Sequence, residues 1–451
     1  MSLFSSFPPL SSQQWKQQIQ YELAGADYAD TVMWESPEGI RVKPFYHTDE
    51  AETPLTSGGP ERFSICQDIF VFDVEKSNRR AKDSFNRGAD SIRFTFDDKA
   101  IEPARLMDGL DIGGRTHYFR TNFLSEAFAK NIAQAAGGTS TNFLLCDPVG
   151  HLARSGNWYP GGDNFDVLGR ISSLGNVNAF SVDGALYQNA GANIVQQIAY
   201  ILCHANEYLN RFRMTGPMCL QVAVGSNYFF EIAKLRALRH LYGLIEKEYG
   251  SSHGCHIFAF PTRRNKTLYD YNVNMLRTTT ECMSAVLGGA DAVSNLPYDA
   301  LYHKSNEFGE RIARNQLLIL RHESQFDSVS NPADGSHYIE ALTSQLAEKS
   351  LALFKEIEQA GGLIAQLKSG KIQKKIAESD SREQERFAQG KEILLGTNKY
   401  PNKADRMQEN LEIFPFVKIK PRKTLINPVI ERRLAEKVEM ERLELEKLPN
   451  R

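Results

Sequence analysis

The sequence predicts an α/β protein, a (β/α)8 TIM barrel with an N-terminal extension and a C-terminal helical region. Eight short apolar runs typical of buried parallel strands occur along the chain, and helical segments separate most of them. The 451 residues exceed one small module, and 41% hydrophobic with 24% charged residues is an ordinary globular composition. A doubly wound open sheet would show the same alternation, so the count of eight favours the barrel without excluding that sheet.

The N-terminal extension is predicted over residues 1–60, with a helix at 15–24 and an extended stretch at 34–46. The barrel is predicted over 61–325. Its strands are expected at 64–72, 91–96, 115–120, 141–147, 178–184, 219–225, 255–260 and 292–297. Its helices are expected at 74–86, 123–136, 164–173, 190–211, 226–249, 270–288 and 307–323. In the segment 226–249 apolar residues recur at helical spacing, and Ser226 is expected to cap its first turn.

The C-terminal helical region is predicted over residues 326–451. Its first long helix is expected to stop at Gly361 and Gly362, and a charged helix follows at 371–390. The Pro- and Lys-punctuated stretch 399–428 is expected to wrap over the barrel. A last charged helix is expected to place four apolar residues on its drier side: Leu434, Val438, Leu443 and Leu445.

Composition excludes several classes of protein. A net charge of −2 gives no global field for nucleic acid or anionic lipid. No apolar stretch approaches the roughly 20 residues that span a bilayer, and the N-terminus lacks the pattern of a signal peptide. The six cysteines form no CxxC pair, which indicates reduced core cysteines. A cytoplasmic protein is therefore expected.

Three carboxylates follow predicted strands and are candidate acid or base groups: Asp68, Asp147 and Asp183. Asp147 precedes Pro148, where an aspartate often only makes a turn. His253, Cys255 and His256 are the nearest approach to a metal cluster, but side chains alternate along a strand. A strand entry is therefore favoured, and no metal site is predicted. The common nucleotide and nucleophile motifs are absent from the sequence.

Six separated blocks resemble the methylmalonyl-CoA mutase family, in the family's order. They lie at 34–46, 187–202, 227–242, 276–293, 310–320 and 331–363. The N-terminal segment 13–36 is most similar to the small subunit of the heterodimeric bacterial enzyme. The resemblance implies a barrel threaded along its axis by the pantetheine of an acyl-CoA. It also implies a separate domain that carries adenosylcobalamin over the barrel, and conversion of (R)-methylmalonyl-CoA to succinyl-CoA.

The chain departs from this family where the catalytic chains do their chemistry. The tyrosine and histidine expected after the fifth strand are here Ala185 and Leu186, and leucine cannot donate a hydrogen bond. The arginine and tyrosine of the first strand are Cys66 and Asp68. Two further family segments are replaced, at 258–265 and 331–336. The family's cobalamin motif, Asp-x-His-x-x-Gly, occurs nowhere in the 451 residues.

These departures predict a non-catalytic barrel subunit that pairs with a catalytic large subunit and stabilises it. No catalytic or metal residue is assigned, cofactor-binding residues stay unassigned, and adenosylcobalamin is expected in the partner. One alternative is a competent mutase or related acyl-CoA isomerase in which Asp68 or Tyr187 takes a new role. Another is a module that binds CoA thioesters without turnover, and a homodimer of the isolated chain stays open. Phe258 and Phe260, if they point inward, would plug the axis.

Overall fold

The computed structural model describes residues 6–7, 9–51, 55, 58–111, 113–137, 141–418 and 421–447. The N-terminal region contains helices α1 (Ser12–Glu22) and α2 (Tyr28–Val32), followed by the antiparallel pair β1 (Trp34–Glu35) and β2 (Arg41–Val42). Ser11 caps α1 through a reciprocal pair of bonds with Gln14. Only four residues of the stretch predicted to be extended pair as strands.

Eight parallel strands form the barrel wall, as the sequence predicts. They are β3 (Ser64–Phe70), β4 (Ser91–Phe96), β5 (Thr116–Thr121), β6 (Thr141–Leu145), β7 (Ser181–Asp183), β8 (Met218–Val224), β9 (Cys255–Pro261) and β10 (Ala292–Ser294). Their order around the wall is β6-β5-β4-β3-β10-β9-β8-β7. The gap between the first and last strands of this order, β6 and β7, is closed by the backbone just before β7. There the amide of Asn178 donates to the carbonyl of Asn142 at 2.8 Å, and its carbonyl accepts from the amide of Leu144 at 2.9 Å. The closed wall excludes the open-sheet alternative.

Helices pack around this wall and connect its strands. They are α3 (Val74–Asn86), α4 (Pro103–Met107), α5 (Glu126–Ala135), α6 (Pro148–Ser155), α7 (Asn164–Ser172), α8 (Ala185–Asn189), α9 (Ile194–Leu209), α10 (Tyr228–Glu248), α11 (Val273–Leu287) and α12 (Glu307–His322). The helix predicted at 190–211 begins only at Ile194, because Asn193 caps it through the amide of Gln196. The prediction of Ser226 as a cap was wrong: Asn227 holds the cap position of α10, without a side-chain bond.

The C-terminal region contains α13 (His337–Gln359), α14 (Gly362–Lys368), α15 (Lys371–Ala388) and α16 (Glu436–Glu446). The predicted stop is confirmed at Gly361, whose φ of +100° suits glycine, although Gly362 already begins α14. Of the four apolar residues predicted to lie on the drier side of the last helix, Leu434 and Leu443 are buried, whereas Val438 and Leu445 are exposed. The predicted apolar face is therefore confirmed at two positions and wrong at the other two. The division of the chain at residues 60 and 325 stays a prediction.

The segment between α15 and α16 passes over the C-terminal ends of the strands. The amides of Val429 and Leu434 donate to the carbonyls of Ala153 and Arg264, both at 2.8 Å. These two acceptors lie in the connections after β6 and β9, so the segment crosses this end of the barrel. Residues 419 and 420 of the predicted wrap lie outside the described residues.

The barrel wall separates two cores. Ile65, Val182 and Leu220 point outward into the large apolar core beneath the helices. A smaller inner cluster contains Cys66, Tyr118, Phe143, Leu145, Cys219, Phe258 and Ala292. All six cysteines are buried and unpaired with one another, as predicted. Across the described ranges, none of the helices is both long and apolar enough to cross a membrane.

Candidate functional site

Aromatic side chains fill the middle of the barrel. The rings of Tyr118 on β5 and Phe258 on β9 lie 4.6 Å apart, and Phe143 on β6 stacks 5.6 Å from Tyr118. Strands β5 and β9 are four places apart in a wall of eight, so Tyr118 and Phe258 meet across the axis. The Tyr118 hydroxyl also lies 2.7 Å from Nε2 of His256. Phe258 therefore points inward, and the axis is blocked at this level.

The structure separates the residues of the possible metal cluster. Cys255 begins β9 and packs in the outer core, whereas the ring of His256 faces the interior against Phe143, 4.5 Å away. Burial lowers the pKa of His256. Because the two side chains lie on opposite sides of the wall, they do not converge on one ion.

Asp68 and Arg93 form a two-pronged ion pair at the C-terminal mouth of the barrel. Nε and Nη2 of Arg93 donate to the two carboxylate oxygens of Asp68, at 2.7 and 2.6 Å. The guanidinium carbon also lies 4.7 Å from the ring centre of Phe258 and 4.9 Å from that of Phe260. Both oxygens of Asp68 thus accept from one arginine, and the carboxylate is held in place as the partner of Arg93.

Asp183 is buried at the same mouth and accepts from two arginines. Its Oδ2 lies 2.9 Å from Arg154 and 3.5 Å from Arg120, and Arg154 also reaches Glu431 at 3.1 Å. Burial alone would raise the pKa of Asp183, but attraction to Arg154 and Arg120 outweighs it and lowers the pKa to about 2. Asp183 is therefore a fixed negative charge and a poor proton carrier at neutral pH.

Asp147 holds the connection after β6 in place, in keeping with the predicted turn. Its Oδ1 accepts from the amide of Gly150 at 2.9 Å, from His204 Nε2 at 2.9 Å and from the hydroxyl of Tyr208. Its Oδ2 accepts from the amide of Asp183 at 2.8 Å. Burial opposes ionisation, but His204 and these hydrogen bonds lower the pKa of Asp147. With every oxygen engaged, the carboxylate joins β6, β7 and α9.

The residues at the family's tyrosine and histidine positions lie in the short helix α8. Ala185 lines the mouth, and Leu186 is fully buried in the outer core. Tyr187 is also fully buried, with its hydroxyl 3.1 Å from Nδ1 of His204. Burial raises the pKa of Tyr187 well above its ordinary value. Tyr187 therefore faces the helix side of the wall, away from the mouth.

Two family segments that were replaced here act as structural anchors. In the connection after β9, Arg264 donates to Glu383 at 2.6 Å and to Asp380 at 2.5 Å, which ties α15 to the mouth. In the turn before α13, Asp334 pairs with the buried Arg236. Neither anchor could be predicted from the sequence, since nothing local marks partners about 100 residues apart.

Comparisons with known proteins agree with this architecture. Residues 170–448, more than half of the chain, match the family model described as methylmalonyl-CoA mutase. The methylmalonyl-CoA mutase small subunit of Porphyromonas gingivalis is 32% identical, over 89% of this chain and 71% of that protein. The small subunit from Streptomyces virginiae is 28% identical, over 91% and 73%. The methylmalonyl-CoA mutase of Cereibacter sphaeroides is 28% identical, over 86% and 64%.

The family match and the barrel lead to the same assignment. The relative from P. gingivalis exceeds 30% identity over most of this chain, and the matching region runs from α7 through the C-terminal segment that crosses the mouth. The matched residues contain strands β7 to β10, the helices that follow them and the crossing segment. The chain belongs to the methylmalonyl-CoA mutase family.

Proposed function

We propose that this chain is the non-catalytic small subunit of an adenosylcobalamin-dependent methylmalonyl-CoA mutase. The complex would interconvert (R)-methylmalonyl-CoA and succinyl-CoA in a catalytic large subunit, which this chain stabilises by binding it. The filled barrel axis carries the proposal. The names of the two small-subunit relatives support the same pairing.

The axis argument is steric. An acyl-CoA substrate that threads the barrel needs an open channel for its pantetheine arm. Here Tyr118 and Phe258 touch from opposite strands, and both are fully buried. Close-packed interiors resist rearrangement, because opening one requires several side chains to leave their rotamers together. A threaded CoA thioester is therefore disfavoured, which also weighs against the binding-module alternative.

The chemistry of the mouth weighs against a competent isomerase. Ala185 and Leu186 supply no hydrogen-bond donor for a thioester carbonyl. Of the two replacement candidates, Asp68 is held by Arg93 through both oxygens, and Tyr187 faces His204 on the helix side. Asp68 is thus held as the partner of Arg93, and the hydroxyl of Tyr187 does not face the mouth.

The described residues do not fit adenosylcobalamin. The cavity at the mouth measures about 230 Å³, far below the volume of a corrin with its axial groups, and the segment around Val429 to Leu434 crosses this end. The proposal therefore places the cofactor, which supplies the radical for the rearrangement, in the partner subunit.

Exposed apolar side chains on and just before α1 provide the contacts that we propose for the large subunit. Helix α1 buries none of its residues against the rest of the chain. Trp15 and Tyr21 are 48% and 82% exposed, and Leu10 just before the helix is 51% exposed. Exposed aromatic residues concentrated on one element are typical of protein–protein contacts.

Coexpression with the cognate large subunit tests the proposal. We expect the large subunit to lose solubility, thermal stability and mutase activity when this chain is omitted. The double variant Trp15→Ala/Tyr21→Ala should weaken the complex at least tenfold in a sedimentation assay, since aromatic anchors dominate such contacts. Tyr400→Ala, an exposed aromatic elsewhere, is the matched control. A large subunit that is equally soluble, stable and active alone would overturn the stabilising role.

The alternatives have their own tests on the purified chain. Turnover of methylmalonyl-CoA with added adenosylcobalamin by this chain alone would favour the isomerase. Titration calorimetry with CoA should give no binding heat, whereas a saturable signal would favour the binding module. Sedimentation of the isolated chain shows whether it forms a homodimer.

A further inference from the structure

We propose that a cavity beside helix α16 binds a small carboxylic acid with an aromatic or branched alkyl tail. The cavity lies between α16, the segment 396–406 and the connection after β9, and its volume is about 390 Å³. It shares no lining residue with the cavity at the mouth of the barrel. The site goes beyond the proposed subunit role and does not depend on it.

One wall of this cavity is apolar. Val438 and Leu445 of α16 line it, and they remain 41% and 66% exposed. The two residues are seven positions apart, which places them on one face of the helix. Tyr269 and Pro401 add apolar surface from the other elements. A cavity of this volume with a largely apolar lining and a few polar groups is typical of a small-molecule site.

The two carboxylates of the lining are already engaged by the protein. Glu446 accepts from the hydroxyl of Tyr269 at 2.6 Å and from two backbone amides, both at 3.0 Å. Glu439 accepts from the amide of Leu268 at 2.7 Å and pairs with Arg433. These bonds hold α16 against the connection after β9, so the frame of the cavity is fixed.

The cations of the lining, in contrast, have no carboxylate partner among the described residues. Lys403 and Arg406 lie at the exposed rim, and the guanidinium of Arg406 donates only to backbone carbonyls in the described part of the chain. With Arg442, the lining carries three cations against two carboxylates, and Glu439 is neutralised by Arg433. The excess positive charge attracts a ligand that carries a negative charge.

Arg442 is the cation that the fold holds in place. Its guanidinium carbon lies 3.8 Å from the ring centre of Tyr269, and its Nη2 donates to the carbonyls of Asn402 and Asp405, both at 2.7 Å. Nε and Nη1 make no hydrogen bond to the described residues, which leaves three N–H groups for a ligand. A guanidinium that is already ordered loses little freedom on binding, and its N–H groups match the spacing of carboxylate oxygens. The fixed guanidinium beside an apolar wall therefore defines the ligand class.

Titration of the full chain tests the proposal directly. Phenylacetate and isocaproate are titrated by calorimetry at constant ionic strength. Phenylacetamide, which lacks the charge, and acetate, which lacks the tail, are the controls. We expect saturable binding of at least one of the two acids, at least tenfold tighter than that of either control. Binding of neither acid, or equal affinity for phenylacetate and phenylacetamide, would overturn the proposal.

Two variants at exposed positions locate the binding. Leu445→Glu removes part of the apolar wall and adds a like charge, so it should reduce affinity at least tenfold. Lys403→Gln removes one rim cation and should reduce affinity at least threefold. Met440→Glu and Lys437→Gln are the matched controls, because both residues are exposed on α16 and do not line the cavity. Wild-type affinity in both cavity variants, or equal losses in the controls, would overturn the assignment.

Discussion

The middle and the mouth of the barrel interior come from the same strands, one side-chain level apart, yet their chemistry differs. On β5, Tyr118 faces the middle and Arg120 the mouth. On β3, Cys66 faces the middle and Asp68 the mouth. The middle is closed by aromatic packing, whereas the mouth is held by ion pairs around a cavity.

The packed middle and the charged mouth contribute in different ways to ligand access and to stability. Packing in the middle determines whether a ligand can thread the barrel, and the contribution of its apolar rings to stability is insensitive to pH. The ion pairs of the mouth contribute stability that depends on protonation and salt. Phe258 touches both levels, because the guanidinium of Arg93 lies on its ring, so the two levels are best compared through variants of each.

Removal of the plug should have the largest effect. Phe258→Ala deletes a fully buried ring that contacts Tyr118 and Arg93, and should lower the free energy of unfolding by about 3–5 kcal/mol. Urea unfolding followed by circular dichroism measures the change. Phe72→Ala is the control, since Phe72 is 90% exposed and its loss should cost less than about 0.5 kcal/mol. Equal costs for the two variants would contradict a packed middle.

Asp183→Asn tests the mouth, and its effect should be smaller and depend on pH. The pKa of Asp183 is lowered to about 2, so the carboxylate favours the folded state above pH 4 by about 2 kcal/mol. This stability is lost as the pH falls from about 4 through about 2. The deficit of the variant should thus be full at pH 7 and shrink towards pH 2.

Unfolding free energies of wild type and variant at pH 7, 4 and 3 measure that deficit. Asp108→Asn, at an exposed site, is the matched control and should show little deficit at any of these pH values. A deficit in Asp183→Asn that does not vary with pH would mean that packing, rather than charge, holds this residue.

The outer layer explains why the barrel could be predicted from the sequence. Parallel strands covered by helices need apolar residues, and runs such as 64–72 and 219–225 show them directly. The inward direction of Phe258 follows from strand alternation, but the contact across the axis requires the strand order as well. The sequence therefore predicts the direction of the Phe258 side chain, but it does not predict that the middle of the barrel is filled.

The mouth was harder to predict because its partners are distant in sequence. Asp147 was recognised as a turn residue from Pro148 alone, yet its bonds to His204 and Tyr208 come from α9. Glu431 reaches the mouth from the C-terminal segment, 277 residues beyond Arg154. Long-range ion pairs leave no periodic pattern in the sequence. The charged residues that meet at the mouth can therefore be identified only once the fold is known.

Tyr118→Phe separates hydrogen bonding from packing in the middle. The variant keeps the ring but removes the hydroxyl that lies 2.7 Å from His256, and should cost about 1–2 kcal/mol. This loss is smaller than that of Phe258→Ala because no cavity of ring size is created. Tyr21→Phe, at an 82% exposed site, is the control for loss of a hydroxyl. A loss as large as that of Phe258→Ala would make the hydrogen bond, and not the packing, the main contribution.

His151 tests the mouth from its rim, and replacing it should have the smallest effect of the four at neutral pH, where the imidazole is uncharged. Its ring stacks 3.7 Å from that of Tyr159, and burial, followed by repulsion from Arg154, lowers its pKa to about 4. The neutral imidazole therefore favours folding above the ordinary pKa of about 6.5, and this contribution is lost as pH falls towards 4. In His151→Phe, which keeps the stacking, stability should decline less steeply between pH 6.5 and 4.5. An NMR titration of labelled histidine measures the pKa itself, and a value near 6.5 would show that the charged mouth does not extend to His151.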